Sequence, residues 1–269
     1  MVRQYLLAKG LKHREVIGRN PKGDPTLGFD IGAERVVIEY FRTHIAAPLR
    51  IIGEERGVTD IGHGKPDFVL IVDPVDGSWN CSRGIEVGAF SAALIPAEDD
   101  FRVENVHYAL TGNLFTGTIY SAEKGKGARR NATPIQSSQL EDLSDAVIGC
   151  EFTLTRENNW KIRRVRDLFR LARRVVSMGS AVTELCLVAC GALDAHVDVR
   201  DELSAENFLA AGLIILEAGG MITDPTGAPI PPVKNLYEKT SVIASGNPIL
   251  HDAVLGSIRF GPKPRENNA

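Results

Sequence analysis

The stretch Phe68-Val-Leu-Ile-Val-Asp-Pro-Val-Asp-Gly-Ser78 carries the strongest fold signal in this chain. Its first five residues are all apolar and mostly branched, which predicts a buried strand that ends at Asp73-Pro74. Asp73 and Asp76 follow this strand at once, and open α/β sheets hold their functional sites at such strand ends. Asp-Pro followed by Asp-Gly is also an ordinary turn signature. The two carboxylates therefore need partners elsewhere in the chain before they indicate a site.

Apolar runs and helical periodicity alternate on either side of this stretch, which predicts an α/β protein. Strands are predicted at 49–52, 89–95, 106–110, 116–121, 146–150 and 192–199, and helices at 30–42, 160–176, 181–190 and 206–218. A change of composition near residue 135 predicts two packed lobes, an N-terminal α+β lobe at 1–135 and a C-terminal α/β lobe at 136–260. The polar residues 261–269 are expected to form a disordered tail.

Composition excludes several function classes. The chain has 269 residues, 43% of them hydrophobic and 24% charged, with a formal net charge of -3. This charge argues against nucleic-acid binding, which usually needs a basic face. The sequence contains no run of about 18 apolar residues that would predict a transmembrane helix, and its start lacks the apolar core of a signal peptide. We therefore expect a cytoplasmic protein with neither nucleic acid nor membrane as a partner.

A third carboxylate, Glu54, follows the predicted strand at 49–52. Glu54-Glu55 after a glycine is also typical of a surface turn. Bringing Glu54, Asp73 and Asp76 together without a cation would cost on the order of several kcal/mol in repulsion and desolvation. Mg²⁺ suits such a set because it binds carboxylate oxygens and keeps several waters. Paired metal ions of this kind activate water for attack on a phosphate monoester.

Three segments together resemble the signatures of the inositol monophosphatase family, which belongs to a larger lithium-sensitive phosphatase superfamily. They are Gly53-Glu54-Glu55, Asp73 to Asn80, and Ala210-Ala-Gly-Leu-Ile running into Glu217-Ala-Gly-Gly220. The segment from Asp198 to the last signature is most similar to archaeal members with dual inositol monophosphatase and fructose-1,6-bisphosphatase activity. The resemblance implies a sugar-phosphatase fold of alternating helix and sheet layers, a homodimer, and a small sugar or inositol phosphate as substrate.

The same resemblance implies roles for individual residues. Two or three Mg²⁺ ions, with Mn²⁺ as an alternative and Li⁺ or Ca²⁺ as inhibitors, are implied for a site whose protein ligands are Glu54, Asp73, the carbonyl of Val75, and Asp76. Ser78 stands where the family usually has threonine, whose hydroxyl orients and deprotonates the attacking water. With Glu54 and Asp73 it forms the implied catalytic set. Substrate contacts are implied for Asp76, Gly77, Ser78, Gly179, Ser180, Ala181 and Asp198.

One position departs from the family pattern. The aspartate expected ten residues before Glu217, a ligand of the second metal, is Asn207 here. Its amide oxygen is neutral and binds a divalent ion more weakly, so we expect the second metal to be held loosely. Either the chain tolerates Asn207 at higher Mg²⁺, or Glu206 replaces the ligand, although adjacent helical residues point about 100° apart. The third alternative is a native or engineered phosphatase-like protein that binds metal and phosphate with little or no turnover.

A basic run forms a second feature whose role the sequence leaves open. Its members are Arg163, Arg164, Arg166, Arg170, Arg173 and Arg174. The run is consistent with a solvated helix face whose long stems cover the core. It is also consistent with arginines that reach the second phosphate of a bisphosphate substrate, since a guanidinium group suits phosphate.

Overall fold

The computed structural model describes residues 1–152 and 159–259. The α-helices in this part of the chain are α1 (Val2–Ala8), α2 (Gly28–His44), α3 (Ser78–Arg83), α4 (Leu168–Leu171), α5 (Ala181–Ala189), α6 (Ala205–Glu217) and α7 (Pro248–Ser257). The strands are β1 (Val16–Arg19), β2 (Pro25–Leu27), β3 (Leu49–Gly53), β4 (Gly57–Ile61), β5 (Phe68–Asp76), β6 (Ala89–Pro96), β7 (Tyr108–Asn113), β8 (Ile119–Glu123), β9 (Ala128–Arg130), β10 (Thr133–Pro134), β11 (Val147–Cys150), β12 (Arg174–Val176), β13 (Ala195–Leu203), β14 (Met221–Thr223) and β15 (Thr240–Ser245).

Two large sheets and three helix layers alternate through the molecule. The first sheet has the strand order β10-β9-β8-β7-β6-β5-β3-β4, and the second has the order β12-β11-β13-β15-β14. Helices α5 and α6 lie between the sheets, where their apolar side chains join one core with both inner sheet faces. Helices α1 and α2 cover the outer face of the first sheet, and α4 and α7 cover that of the second. The predicted α/β layered sandwich is confirmed.

The central helices are apolar on all sides because both of their faces are covered. Phe208, Leu209 and Ile214 in α6 are fully buried, and Leu185 in α5 is buried beside them. A helix that is hydrophobic all round is expected only in such a sandwiched layer. The start of α6 is also tied to the first sheet, where the Ser91 hydroxyl donates to the backbone carbonyl of Glu206 over 2.8 Å.

The strand predicted from the apolar run at 68–72 is longer than expected. We predicted that it would end at Asp73-Pro74, but β5 continues to Asp76 and pairs with β6 along its whole length. The pairing register shifts between Asp73 and Asp76, where the chain forms a bulge. Proline lacks an N–H and is tolerated in a strand at such a bulge. The bulge lies between the two aspartates, at the carboxyl end of β5.

The predicted helix at 160–176 is wrong. The chain instead forms a 3-10 helix (Asn159–Val165), the short α4, and β12, which pairs with β11 in parallel. Its basic side chains bind nearby acceptors. Arg164 donates to the carbonyl of Val199 over 2.7 Å, and Lys161 pairs with Asp201 over 2.8 Å. Sheet pairing outweighed the helical periodicity of this run.

The predicted disordered tail at 261–269 lies outside the described residues. Among the residues that are described, no helix is both long enough and apolar enough to cross a membrane.

Candidate active site

Two parallel strands bring the acidic segments together. β3 and β5 pair in parallel with Gly53 opposite Val72, so Glu54 and Asp73 come next on the two neighbouring strands and lie side by side. Parallel strands end at the same edge of a sheet, which is why residues separated in sequence meet here. The adjacency of Glu54 and Asp73 therefore follows from strand register alone.

The turn that carries Glu54 is held by a carboxylate from α2. Glu34 accepts hydrogen bonds from the backbone N–H groups of Glu55 (2.7 Å) and Arg56 (3.1 Å). Gly53 is needed for this contact, because a Cβ there would lie 2.5 Å from the Glu34 carboxyl group. The side chain of Glu55 accepts from the Thr26 hydroxyl over 2.6 Å. Glu55 thus serves the turn, and Glu54 is left to face the site.

Asp73 and Asp76 are buried and anchored on different sides. Asp73 accepts from the backbone N–H of Val75 over 2.9 Å. Asp76 accepts from the Ser180 hydroxyl over 2.5 Å and from the N–H of Val182 over 3.0 Å, both at the start of α5. Burial raises the pKa of Asp73, and Glu54 and Asp76 raise it further. Burial also raises the pKa of Asp76 to about 7. Both carboxylates favour a cation nearby.

Ser78 begins α3 and faces a carboxylate from α2. Its hydroxyl lies 2.9 Å from Asp30 Oδ1 and 2.7 Å from the carbonyl oxygen of Val75. Burial raises the pKa of Asp30 to about 8, against the opposing effect of the Ser78 hydrogen bond. Gly77 precedes Ser78 at φ 87°, and a Cβ there would lie 3.1 Å from the carbonyl oxygen of Val87. The turn into α3 therefore requires glycine.

A lysine enters the same cluster. The Lys22 ammonium lies 2.7 Å from Glu54 Oε1 and 2.5 Å from Glu206 Oε1, and only 5% of its side chain is exposed. Burial alone would lower the pKa of Lys22, but Glu206 and Glu54 outweigh burial and raise it. Burial raises the pKa of Glu206 to about 7, although Lys22 acts in the opposite direction. Lys22 therefore partly neutralises the acidic cluster.

Asn207 contacts the expected metal site through its amide nitrogen. Its Nδ2 donates to Asp73 Oδ2 over 3.0 Å, and its Oδ1 accepts from the backbone N–H of Ser204 over 3.1 Å. These partners fix the amide orientation, because an N–H can only donate and a carboxylate oxygen can only accept. In this arrangement the oxygen that was expected to bind metal caps α6 instead.

The donor set suits a hard divalent cation. No group of three or more His, Cys, Asp or Glu side chains in residues 1–152 and 159–259 closes around one point in metal-binding geometry. The Lys22 ammonium and the Asn207 amide lie among the carboxylates instead. The Glu206 Oε2 atom is buried without a hydrogen-bond partner among the described residues. Mg²⁺ prefers oxygen ligands such as carboxylates. Lys22 balances only part of the negative charge of these carboxylates, so the residues fit such an ion.

Four helices direct their N-termini toward this cluster. α2 brings Asp30 to Ser78 at the start of α3, α5 brings Ser180 to Asp76, and α6 brings Asn207 to Asp73. A helix N-terminus carries a partial positive charge and free N–H groups, which stabilise bound anions. The site can therefore hold a phosphate group as well as the cations that accompany it.

The predicted substrate loop is tied to α3. The Asn80 side chain donates to the carbonyl oxygens of Met178 (2.7 Å) and Gly179 (3.2 Å). The Ser180 hydroxyl is used by Asp76 and by the cap of α5, and Ala181 begins that helix. Gly179, Ser180 and Ala181 thus lie at the acidic cluster, next to Gly77.

Asp198 has a different environment. It is buried on β13, and both of its carboxylate oxygens bind the Arg200 side chain, with Nη2 2.6 Å from Oδ2. A substrate hydroxyl would reach Asp198 only if Arg200 moved. Its role in substrate binding stays a prediction.

Several side chains at the site were not assigned a role from sequence. Asp30 begins the predicted helix at 30–42, and the sequence predicts no site role for Asp30, Lys22 or Glu34. The spacing from Asp30 to Ser78 contains no periodic signal, because the contact depends on two helices meeting at one sheet edge. Lys22 lies in a turn of typical loop composition, so its burial could not be seen in the sequence.

Comparison with known proteins agrees with this geometry. Residues 7–262 match the model of the inositol monophosphatase family. The chain is 33% identical over 91% of its length to a fructose-1,6-bisphosphatase/inositol-1-monophosphatase of Methanothermobacter thermautotrophicus, of which it covers 87%. It is also 32% identical over 91% of its length to a bifunctional NADP phosphatase/NAD kinase of Methanococcus maripaludis, of which it covers 44%. Nothing in these matches favours the alternative of a silent protein.

Solved structures share the layered fold. The MJ0109 gene product, an inositol monophosphatase-fructose 1,6 bisphosphatase, superposes with a TM-score of 0.80 at 27% identity, covering 96% of both chains. The suhB protein of Bartonella henselae gives a TM-score of 0.80 at 23% identity, covering 97% of this chain and 95% of its own. The predicted resemblance is confirmed: the chain belongs to the inositol monophosphatase family and is a metal-dependent phosphoric monoester hydrolase.

Proposed function

We propose that this enzyme hydrolyses a small sugar or inositol phosphate, with inositol-1-phosphate and fructose-1,6-bisphosphate as the substrates to test first. The observation that carries the proposal is the juxtaposition of Glu54, Asp73, Asp76 and the Ser78–Asp30 pair at one sheet edge. Relatives named for these two activities support the choice of substrates. A relative named for NADP phosphatase activity adds the phosphate of NADP as a third candidate.

Mg²⁺ is the proposed ion, with Mn²⁺ able to replace it, because the available ligands are carboxylate and carbonyl oxygens. Glu54, Asp73, Asp76 and the carbonyl of Val75 would hold these ions. When bound, they supply charge neutralisation at the phosphate oxygens and lower the pKa of a coordinated water. Two or three ions, and inhibition by Li⁺ or Ca²⁺, remain predictions.

The Ser78–Asp30 pair provides a route for the proton of the attacking water. As the water oxygen bonds to phosphorus and the ester P–O bond breaks, Ser78 accepts the water proton and passes its own to the deprotonated Asp30 carboxylate, while the leaving alkoxide takes a proton from solvent. Burial raises the pKa of Asp30, which makes its carboxylate a stronger base for this transfer. The N–H groups of Gly77 and Ser78 would bind the phosphate at the start of α3, and α5 keeps Asp76 in place through Ser180 and Val182.

A homodimer is the proposed assembly. On the outer face of the first sheet, α2 packs on β4 and β5 and leaves β7 and β8 uncovered. Tyr108, Leu110 and Ile119 there are each more than 40% exposed. They border a groove of about 1050 Å³. A contiguous apolar patch of this kind marks an interaction surface, and a second copy of the chain offers the matching apolar face.

The test is phosphate release from the three candidate substrates across a Mg²⁺ titration. We expect turnover that depends on Mg²⁺ and is highest with inositol-1-phosphate or fructose-1,6-bisphosphate. The matched variant Asp73→Asn should lose turnover by at least about 100-fold while it keeps the fold. Absence of release at any Mg²⁺ concentration from a folded wild-type chain would contradict the proposal.

A further inference from the structure

Glu206 is a buried carboxylate with one oxygen that has no partner. The residue is 1% exposed at the start of α6. Its Oε1 binds the Lys22 ammonium over 2.5 Å, while Oε2 has no hydrogen-bond partner among the described residues. A buried polar atom without a partner has lost its hydration without compensation, and this loss is larger for a charged group. The unpartnered oxygen is therefore available to bind a ligand.

Glu206 lies inside the acidic cluster. The Lys22 ammonium that binds Glu206 also binds Glu54 over 2.7 Å, so the two carboxylates lie on either side of one cation. Glu206 also contributes to the raised pKa of Asp73, which places its charge within reach of that ligand. The side chain is therefore close to two of the expected metal ligands.

Adjacent residues of α6 both reach this cluster. The sequence disfavoured a role for Glu206 because neighbouring helical residues point about 100° apart. In the structure, the first turn of α6 faces the site, so that Asn207 reaches Asp73 while Glu206 reaches Lys22. The two side chains therefore lie on different sides of the cluster. The angle between them excludes neither from the site.

The expected ligand set has one negative charge fewer than the family pattern. Asn207 lacks the negative charge of the family's aspartate, and its oxygen caps α6 at Ser204. Relative to an aspartate at that position the ligand set has lost one charge, and Glu206, next in sequence, carries one. We propose that Glu206 replaces the missing aspartate as an anionic ligand of the metal cluster, through its Oε2 atom. This inference rests on the proposed metal-dependent function.

Lys22 acts as a positioning residue in this arrangement. Its ammonium holds Oε1 of Glu206, which leaves Oε2 directed away from the ion pair. The Ser91 hydroxyl fixes the Glu206 backbone by binding its carbonyl oxygen over 2.8 Å. Glu206 is thus held from both its side chain and its main chain, as expected of a ligand whose geometry must be preorganised.

The experiment measures metal binding without turnover. Free Mn²⁺ is followed by electron paramagnetic resonance during titration of the metal-free wild type, Glu206→Gln, Asn207→Asp, the double variant, Asp73→Asn, and the control Glu202→Gln. Glu202 lies just before α6, but its side chain is 36% exposed and pairs with Lys239 over 3.2 Å. We expect Glu206→Gln to weaken Mn²⁺ binding at least 10-fold and Glu202→Gln to change it less than 2-fold. Because Asn207→Asp restores a charge, Glu206→Gln should cost less than 3-fold in that background.

The outcomes separate this inference from the proposed function. If Glu206→Gln binds Mn²⁺ like the wild type, or more tightly, while Asp73→Asn does not bind it, Glu206 is not a ligand and the metal site stands. Equal losses in both backgrounds would also contradict the replacement of Asn207 by Glu206. If the wild type and Asp73→Asn bind Mn²⁺ equally, the proposed metal site itself fails. Glu206→Gln is isosteric, and a cooperative thermal unfolding transition of the metal-free variant confirms that it folds.

Discussion

Position 207 determines how the site behaves without metal. The Asn207 amide donates to Asp73 over 3.0 Å, where an aspartate would place a second carboxylate against it. The amide therefore stabilises the metal-free protein, at the expense of a charge for the cation. Relative to aspartate, Asn207 therefore stabilises the metal-free protein and weakens metal binding.

Both effects can be measured with the variant Asn207→Asp. We expect the metal-free variant to unfold with about 1 to 3 kcal/mol less free energy than the wild type, because a hydrogen bond is replaced by carboxylate repulsion. Saturating Mg²⁺ should raise its melting temperature more than that of the wild type. Urea denaturation of the metal-free proteins measures the first effect, and thermal denaturation with and without Mg²⁺ measures the second. Equal stability of the two metal-free proteins would show that the amide contact has no such role.

The Ser78 hydroxyl is predicted to act in catalysis and not in metal binding. Ser78→Ala should lower kcat by about 100-fold to 10,000-fold, the usual contribution of a positioned proton-transfer group. Mn²⁺ affinity should stay within about 2-fold, since no carboxylate is removed. Ser78→Thr keeps the hydroxyl and serves as the matched control, with activity close to the wild type. A Ser78→Ala enzyme of full activity would exclude the Ser78–Asp30 proton route.

At the scale of elements, the turn after β3 depends on the packing of α2. A Cβ at Gly53 would lie 2.5 Å from the Glu34 carboxyl group, which holds the turn by two hydrogen bonds. Gly53→Ala should therefore cost about 1 to 3 kcal/mol of unfolding free energy and weaken metal binding through displacement of Glu54. Gly18→Ala on β1 is the control, because no atom lies within 4 Å of its added Cβ. Similar thermal denaturation curves for both variants would contradict this account of the turn.

The pairing of α5 with β13 should make stability depend on pH. His196 is fully buried, with Nδ1 2.9 Å from Glu184 Oε2. Burial alone would lower the pKa of His196, but the hydrogen bond and charge of Glu184 raise it overall. A raised pKa contributes stability that is fully present below the unfolded value of about 6.5 and is lost as pH rises through the folded value.

Glu184→Gln removes this contribution. We expect the variant to be less stable than the wild type by about 3 to 5 kcal/mol at pH 6, the usual cost of breaking a buried pair. The difference should shrink as the pH rises above 6.5 and through the raised pKa of His196, because His196 then loses its proton. Urea denaturation at a series of pH values tests this expectation. A difference that is constant over this range would mean that His196 is neutral throughout.

Sequence patterns predicted elements where local signals and the tertiary fold agree. The apolar run at 68–72 and the helix at 206–218 were found because each is buried on both sides. The bulge between Asp73 and Asp76 could not be predicted, since it depends on pairing with β6. The helix predicted at 160–176 failed because parallel pairing of β12 with β11 has no local signature.

The same reasoning explains what was found of the site. Glu54, Asp73 and Asp76 could be predicted because they lie at the carboxyl ends of two apolar runs, which form the adjacent parallel strands β3 and β5. Lys22 is buried because it forms ion pairs with Glu54 and Glu206, which are distant in sequence. Nothing near Lys22 in the sequence therefore predicts its burial.

At the scale of the whole molecule, the uncovered face of the first sheet predicts the assembly. Leu110 is 43% exposed and Ile119 is 48% exposed, although both lie on strands of the core sheet. Leu110→Lys with Ile119→Lys should shift the mass measured by light scattering from a dimer to a monomer, because charges in an apolar interface are not compensated. Val58→Lys, at an exposed position on β4, is the control. A wild-type monomer, or a double variant that stays dimeric, would contradict the proposed interface.

The central claim is that metal held at Asp73 and its neighbours drives hydrolysis of the phosphate ester. The most direct measurement titrates the metal-free enzyme with Mn²⁺ and records bound metal and phosphate release from fructose-1,6-bisphosphate and inositol-1-phosphate in the same samples. We predict that release rises in step with metal binding and that both are lost in Asp73→Asn. Release that persists in excess chelator, or at the wild-type rate in Asp73→Asn, would contradict the claim.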